Sequence, residues 1–213
     1  MIIKYTDNGW IRKREKVAQA IFDQLPYRYV FITGSFISKE HFKDIDVFVI
    51  SRSKKKHKPI PDANIQFIDF NDLHSLFYHS IKKQCIAKNI LPIKPLKVTM
   101  ADYWDVINEG YPTLINEQKN FRKHIRGIVL YIHYFTSKEI LGSIDLDKRI
   151  SQFKEYTDVE RYIGESLPRS MSKITTKSYR KRYFYTQAAS YKDLFEYEAY
   201  KFLYDLSHQI AKA

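Results

Sequence analysis

The segment from Tyr29 to Ile50 constrains the fold more than any other part of this 213-residue chain. An apolar, aromatic and β-branched run, Tyr29–Ile32, is followed closely by the pair Gly34-Ser35. After a spacer, a second apolar run covers Val47–Ile50. Runs of this length and composition predict buried strands, and a glycine permits a tight turn at a strand end. The segment therefore predicts two buried strands, the first of which ends in a turn at Gly34.

Two aspartates stand at the start of the second strand. Asp44 and Asp46 are separated by one residue, so in an extended chain both carboxylates point to one face while Ile45 and Val47 point to the other. Carboxylates that share a face repel each other unless a cation lies between them. Hard oxygen ligands favour Mg²⁺ or Mn²⁺, which bridge protein carboxylates to phosphates. The pair predicts a divalent-metal site.

The arrangement Gly34-Ser35, spacer, Asp44-x-Asp46 resembles the signature of the DNA polymerase beta-like nucleotidyltransferase superfamily, and most of all its small, minimal members. The resemblance implies that Asp44 and Asp46 are the catalytic metal ligands. It also implies that Gly34 and Ser35 hold the phosphates of a nucleoside triphosphate. The alternative is that Gly34-Ser35 forms an ordinary turn and that the aspartates lie on the solvated face of a strand.

Four further residues bear on this site. Lys39 and Lys43, in the spacer, are expected to add positive charge near the leaving pyrophosphate. Members of the superfamily carry a third acid in the next strand, where this chain has Gln66. Asp69 lies three residues farther on, on the opposite face of a regular strand, and is expected to begin the following helix; the alternative is that a bulge or a register change turns it inward as the third acid. Because Gln66 is neutral, the resemblance leaves open slow, substrate-assisted or absent catalysis.

The net charge of +12 is unevenly distributed. Two stretches, 73–101 and 168–187, contain no acid, and a third basic cluster covers 52–58. The basic residues expected to contact nucleic acid are Lys82, Lys83, Arg169, Lys173, Arg180, Lys181 and Arg182. Tyrosines interleaved with the last group are able to stack on bases. RNA, tRNA included, is an expected partner, and the alternative is a solvated basic surface.

Composition bounds the remaining choices. The N-terminus lacks the pattern of a signal peptide, and no segment approaches roughly eighteen uninterrupted apolar residues, so we expect a cytoplasmic location without membrane contact. The single cysteine, Cys85, excludes an internal disulfide and a cysteine-rich zinc site. We expect Cys85 to be a core thiol.

The predicted fold class is α/β (α+β): a nucleotidyltransferase-like domain at 1–97 with a short mixed sheet, followed by a helical domain at 98–213. Apolar periodicity predicts the following elements. The strands are Tyr27–Thr33, Asp44–Ser51 and Asn64–Phe70, and the helices are Trp10–Leu25, 71–88, one beginning at a capping box of Thr99 and Asp102, Leu114–Phe135, Thr136–Phe153, Asp158–Ser172 and Tyr179–Ala211.

Two features of the helical half suggest partners or chemistry. The last predicted helix carries a continuous apolar stripe, which favours packing on the preceding helices and also suits a homodimer or a partner protein. Arg126 and His133 have a spacing that resembles the RNA-cleaving motif of the HEPN family. The intervening apolar residues favour ordinary packing instead.

Two functions follow as hypotheses. The first is a magnesium- or manganese-dependent nucleotidyltransferase that moves a nucleoside monophosphate to a hydroxyl of RNA, protein or a small molecule. The resemblance further implies a role in a toxin–antitoxin pair. The second is a catalytically impaired scaffold, with Gln66 at the third-acid position, that binds nucleic acid or a partner protein.

Overall fold

The computed structural model describes residues 2–53, 55, 57–99, 102, 118–154 and 156–166. The chain divides into two compact units. The first comprises 1–98 together with 139–148, and the second comprises 99–138 and 149–213. The segment 139–148 thus groups with the first unit, although it lies beyond the boundary expected near residue 97.

Five strands form one mixed sheet in the first unit. They are β1 (Ile3–Lys4), β2 (Tyr29–Thr33), β3 (Ile45–Ile50), β4 (Ala63–Ile68) and β5 (Ile86–Ala87). Their spatial order is β1-β5-β2-β3-β4, with β3 and β4 parallel and the other neighbours antiparallel. The predicted mixed sheet and its three longer strands are confirmed.

Helices account for most of the remaining described residues. They are α1 (Gly9–Gln24), α2 (Ser35–Ser38), a 3₁₀ helix (Phe70–His74), α3 (Leu76–Lys83), α4 (Gln118–Ser137), α5 (Ser143–Ile150) and α6 (Tyr156–Ser166). Within the described ranges, no helix combines the length and the apolar character that crossing a bilayer requires.

Helix α1 forms where the sequence predicts it. The Asn8 side chain accepts hydrogen bonds from the N–H groups of Trp10 and Ile11, both at 3.0 Å, and so caps the first turn. At the other end, Lys88 Nζ donates to the carbonyl oxygens of Phe22 and Leu25 at 2.8 and 2.9 Å. A cation at this end also complements the helix dipole.

The sheet buries a core on each face. One face packs Val47 and Val49 of β3 against residues of α1 and α2, including Phe22 and Phe36. The other face buries a second core, which includes Phe31, Phe48, Ile50, Ile68, Leu73, Tyr78, Ile81 and Cys85. Alternation along β3 therefore sends successive side chains into separate cores, as expected for a strand covered on both sides.

The predicted helix at 71–88 is wrong in its extent. A 3₁₀ helix comes first, and α3 begins at Leu76 because Ser75 caps it, accepting from Tyr78 N–H at 3.2 Å. The helix ends at Lys83, and the chain then enters β5, so Cys85 lies between the two elements. The prediction that Cys85 is a core thiol is confirmed, since it is fully buried, and burial raises its pKa.

The predicted helix at Thr136–Phe153 is interrupted. Lys138 has a φ of 60°, in the left-handed region, which ends α4 after Ser137. The segment 139–142 then belongs to the first unit, where Ser80 Oγ donates to the Leu141 carbonyl at 2.7 Å. Gln84 accepts from Ile144 N–H at 2.7 Å and so caps the start of α5. This distant cap is a tertiary feature that helical periodicity does not record.

The described part of the second unit contains α4 and α6 and agrees with a helical region. The predicted capping box is confirmed: Asp102 Oδ2 accepts from the Thr99 N–H at 2.6 Å, and Thr99 Oγ1 accepts from the Asp102 N–H at 3.3 Å. The predicted helix at Tyr179–Ala211, with its apolar stripe, lies outside the described residues.

Candidate functional site

The turn after β2 adopts a conformation that requires glycine. Gly34 has φ 79° and ψ −151°, a region that residues with a Cβ essentially do not populate. The chain then enters the short helix α2, where the Gly34 carbonyl accepts from the Ile37 N–H at 3.3 Å and from Ser38 Oγ at 2.9 Å. The predicted turn at Gly34-Ser35 is confirmed.

Gly34 lies directly against the Asp46 carboxylate. Strands β2 and β3 are antiparallel with Thr33 opposite Asp46, so the residue after Thr33 reaches the side chain of Asp46. A Cβ built on Gly34 would stand 2.7 Å from Asp46 Oδ2. No real Cβ tolerates that distance to a carboxylate oxygen without a shift. The absence of a side chain at Gly34 therefore brings the glycine turn and an acid together.

The two aspartates occupy the predicted positions at the beginning of β3. Asp44 is exposed and immediately precedes the strand, while Asp46 is half-buried and is its second residue. Ile45 and Val47 lie in the core that packs on α1, as expected for the face opposite the acids. Asp46 shares its face with Phe48, whose ring enters the other core.

The parallel pairing of β3 and β4 decides which polar residue of β4 stands beside Asp46. The register matches Asp46 with Asn64 and Phe48 with Gln66. Asn64 Nδ2 lies 3.5 Å from Asp46 Oδ1, at the long limit of a hydrogen bond. Asn64 and Gln66 are both exposed. Asn64 was not predicted from the sequence, because the register of a parallel pair depends on both strands and cannot be derived from either one alone.

Asp69 has the structural role that the sequence predicts. It caps the 3₁₀ helix, accepting from the Asn71 N–H at 2.8 Å through Oδ1. The pairing of β4 with β3 ends at Ile68, one residue before Asp69. Asp69 thus serves the helix that follows the strand.

The spacer between Ser35 and Asp44 is held by an arginine from α1. The half-buried Arg14 donates to the carbonyl oxygens of Phe36 and Glu40, the latter at 2.7 Å. Its guanidinium also lies 4.5 Å from the ring centre of Phe42, within cation–π range. Lys39 and Lys43 are exposed along this spacer, as a role in charge attraction requires.

The basic residues expected to bind nucleic acid fall into two groups. Lys82 lies 5.4 Å from the ring centre of Tyr5, and burial lowers its pKa. Lys83 is exposed and donates to the Ile140 carbonyl at 2.7 Å. The five remaining predicted contacts, Arg169, Lys173, Arg180, Lys181 and Arg182, lie outside the described residues. Both described lysines therefore already have contacts within the first unit.

Arg126 and His133 both lie on α4 and are half-buried. Seven positions correspond to about two helical turns, so both residues occupy one side of the helix. Buried residues between them include Val129 and Ile132. This agrees with the packing interpretation of the segment.

The residues around Asp46 fit a hard divalent cation in their chemistry. Two carboxylates and one carboxamide supply oxygen donors of the type that Mg²⁺ and Mn²⁺ prefer. Asp46 Oδ2 lies in the space that a Cβ on Gly34 would occupy, so the carboxylate borders the turn directly. Among the described residues, no group of three or more His, Cys, Asp or Glu side chains is arranged to hold a metal. A cation here would take its remaining ligands from water or from a bound anion.

Comparisons with known proteins identify no relative: no family model matches the chain, and neither a curated protein nor a solved structure is significantly similar to it.

Proposed function

We propose that this protein is a divalent-metal-dependent nucleotidyltransferase of the minimal type. The observation that carries the proposal is the contact between Gly34 and Asp46, which joins a glycine turn to a carboxylate at one end of β2 and β3. A turn without a side chain suits close approach of phosphate oxygens to main-chain N–H groups. An adjacent carboxylate suits the cation that accompanies a triphosphate.

In the proposed reaction, a hydroxyl oxygen of the acceptor attacks the α-phosphorus of a nucleoside triphosphate. A new phosphorus–oxygen bond forms to the acceptor, the bond to the bridging oxygen breaks, and pyrophosphate and one proton are released. Asp44 and Asp46 would hold the divalent cation, which when bound would neutralise phosphate charge and lower the pKa of the attacking hydroxyl. Gly34 and Ser35 position the triphosphate, while Lys39 and Lys43 attract the pyrophosphate.

The acceptor class is a proposal that rests on charge. The net charge of +12 and the acid-free stretches favour RNA, and a protein hydroxyl or a small molecule is the alternative acceptor. A cytoplasmic location, a role in a toxin–antitoxin pair and a homodimer or partner contact through the C-terminal helix belong to the same proposal.

The test is transfer of label from each α-³²P nucleoside triphosphate, with Mg²⁺ or Mn²⁺, to total RNA and to a protein extract. We compare the wild type with Asp44→Asn/Asp46→Asn. Asp69→Asn is the matched control, since it makes the same acid-to-amide change at a helix cap that asparagine also serves. Label transferred by the wild type and the control alone supports the proposal. Equal transfer by the double variant contradicts it.

A second function is favoured by one observation. Within the described ranges, the site has no third acidic, histidine or cysteine ligand, which suits a scaffold that has lost catalysis and binds nucleic acid or a partner protein. This view predicts RNA binding whose log affinity falls linearly with log salt concentration, and no labelled product from any triphosphate.

A further inference from the structure

The pairing of β4 with β3 assigns a different residue to the carboxylate site than the sequence does. Side chains of residues that are matched across neighbouring strands lie on the same face, with the strands about 4.8 Å apart. Asn64 is matched with Asp46, whereas Gln66 is matched with Phe48. At about 3.3 Å per residue, Gln66 starts roughly 6.6 Å farther from Asp46 along the strand.

The chemistry of Asn64 suits a position beside a metal-binding carboxylate. Its amide has an oxygen acceptor as well as two N–H donors, and a half-turn about the terminal torsion exchanges them. With Nδ2 toward Asp46 Oδ1, at 3.5 Å, the amide orients the carboxylate. With its oxygen toward the site, it adds a neutral hard ligand of the type found around Mg²⁺, Mn²⁺ and Ca²⁺.

The surroundings of Asn64 allow its side chain to take part in binding. Asn64 is exposed and belongs to neither core, so its side chain is not required for the packing of the sheet. Gly34 approaches the same carboxylate through the other oxygen, Asp46 Oδ2. The two oxygens of Asp46 thus face separate neighbours, the glycine turn on one side and Asn64 on the other.

We infer that Asn64, and not Gln66, is the third side chain of the carboxylate site. The inference rests on the proposed function, because it concerns the cation that accompanies the triphosphate. A neutral amide leaves the protein with only the charges of Asp44 and Asp46 at the site. The site therefore binds a divalent cation weakly by itself and gains affinity for it when triphosphate oxygens complete the ligand set.

The experiment is a titration of the full-length chain with Mn²⁺ alone, in which electron paramagnetic resonance measures free Mn²⁺. The variants are Asn64→Asp and Gln66→Glu, which make the same amide-to-acid change on the same face of the same strand. Because ligand charge tunes divalent-cation affinity over orders of magnitude, Asn64→Asp is expected to bind Mn²⁺ about tenfold more tightly or better. Gln66→Glu is expected to stay within about twofold of the wild type. Circular dichroism of each variant confirms the fold.

A third variant separates failure of this inference from failure of the proposed function. Asp46→Asn is expected to abolish the strengthening when combined with Asn64→Asp. If Gln66→Glu strengthens binding as much as Asn64→Asp, the assignment of Asn64 is overturned while the carboxylate site stands. If neither variant strengthens binding, the assignment is overturned, and the carboxylate site stands only if the wild type binds Mn²⁺ more tightly than Asp46→Asn does. If Asn64→Asp still strengthens binding without the Asp46 carboxylate, the proposed site at Asp46 is overturned as well.

Discussion

Replacing Gly34 with alanine is expected to destabilise the first unit by a predictable amount. The φ and ψ of this residue, 79° and −151°, lie in a region that is essentially restricted to glycine, and holding another residue there costs about 1–3 kcal/mol. The new Cβ would also stand 2.7 Å from Asp46 Oδ2. Turning that half-buried side chain away from its rotamer costs a further 0.5–1.5 kcal/mol or so. The sum is about 1.5–4.5 kcal/mol, a large part of the roughly 5–15 kcal/mol that stabilises a typical domain.

Urea denaturation followed by circular dichroism measures this loss, with Gly9→Ala as the matched control. Gly9 is the first residue of α1, and an added Cβ there meets nothing within 4 Å. We expect Gly9→Ala to change the free energy of unfolding by no more than about 0.5 kcal/mol. Equal stability of Gly34→Ala and the wild type would refute the reasoning.

A double-mutant cycle separates the two costs at Gly34. Measured in an Asp46→Ala background, the penalty of Gly34→Ala should lose the contact part and keep the backbone part of about 1–3 kcal/mol. A penalty that is unchanged in this background would show that the carboxylate contact contributes nothing. A penalty that disappears there would show that the backbone conformation is not strained for alanine.

Three further predictions concern buried and half-buried residues of the first unit. Phe31 is fully buried and stacks on Phe48 with ring centres 5.3 Å apart; Phe31→Ala should cost about 3–5 kcal/mol in urea denaturation, and a loss below about 1 kcal/mol would contradict this packing. Cys85 is fully buried and its pKa is raised by burial, so a thiol reagent should label it only as fast as the first unit unfolds; immediate labelling of the native protein would be inconsistent with this. Burial lowers the pKa of His79 below its ordinary value of 6.5, although a hydrogen bond to the Lys94 carbonyl opposes the shift. The unfolded chain then binds a proton at His79 more tightly than the folded chain does. The contribution of His79 to stability is therefore complete above pH 6.5 and declines as the pH falls below it toward the folded pKa. In thermal melts, the melting temperature of His79→Gln should fall less steeply with acid than that of the wild type, and parallel declines would argue against the shift.

The longer strands and their faces were accessible from the sequence because they follow a simple period. Val30–Ile32 and Val47–Ile50 are continuous apolar runs, and the turn at Gly34 separates the first strand from the spacer. Strands β1 and β5 have two residues each, too few to show any alternation. Both exist because β5 pairs with β2 and β1 pairs with β5, which are tertiary contacts.

Helix ends were less accessible, since apolar spacing continues beyond them. Ile81 and Cys85 are four residues apart and both buried, yet the helix ends at Lys83 and Cys85 reaches the core from the following turn. Phe77 belongs to the same apolar pattern but is 48% exposed, and its ring forms a T-shaped pair with that of Phe48. Apolar spacing shows which side chains can be buried, whereas the residues that they pack against determine where the helix ends.

In the candidate site, too, the local features could be predicted from the sequence, whereas a tertiary contact could not. The motif residues Gly34, Asp44 and Asp46 are local in sequence, and their turn and strand could be predicted directly. Asn64 lies eighteen positions from Asp46, and its proximity depends on the register of a parallel pair. A shift of that register by two residues would have placed Gln66 beside Asp46, and the sequence contains no signal that distinguishes the two.

The central claim, that Gly34 and Asp46 form part of a metal-dependent triphosphate site, is tested most directly by calorimetric titration with a nucleoside triphosphate whose α,β-bridge is a methylene group. We predict that the wild type and Asp69→Asn bind this analogue with Mg²⁺ present, and at least about tenfold more weakly in a chelator, a difference of about 1.4 kcal/mol. Asp46→Asn should lose the metal-dependent part. Binding of equal strength without a metal, or undiminished binding by Asp46→Asn, would contradict the account.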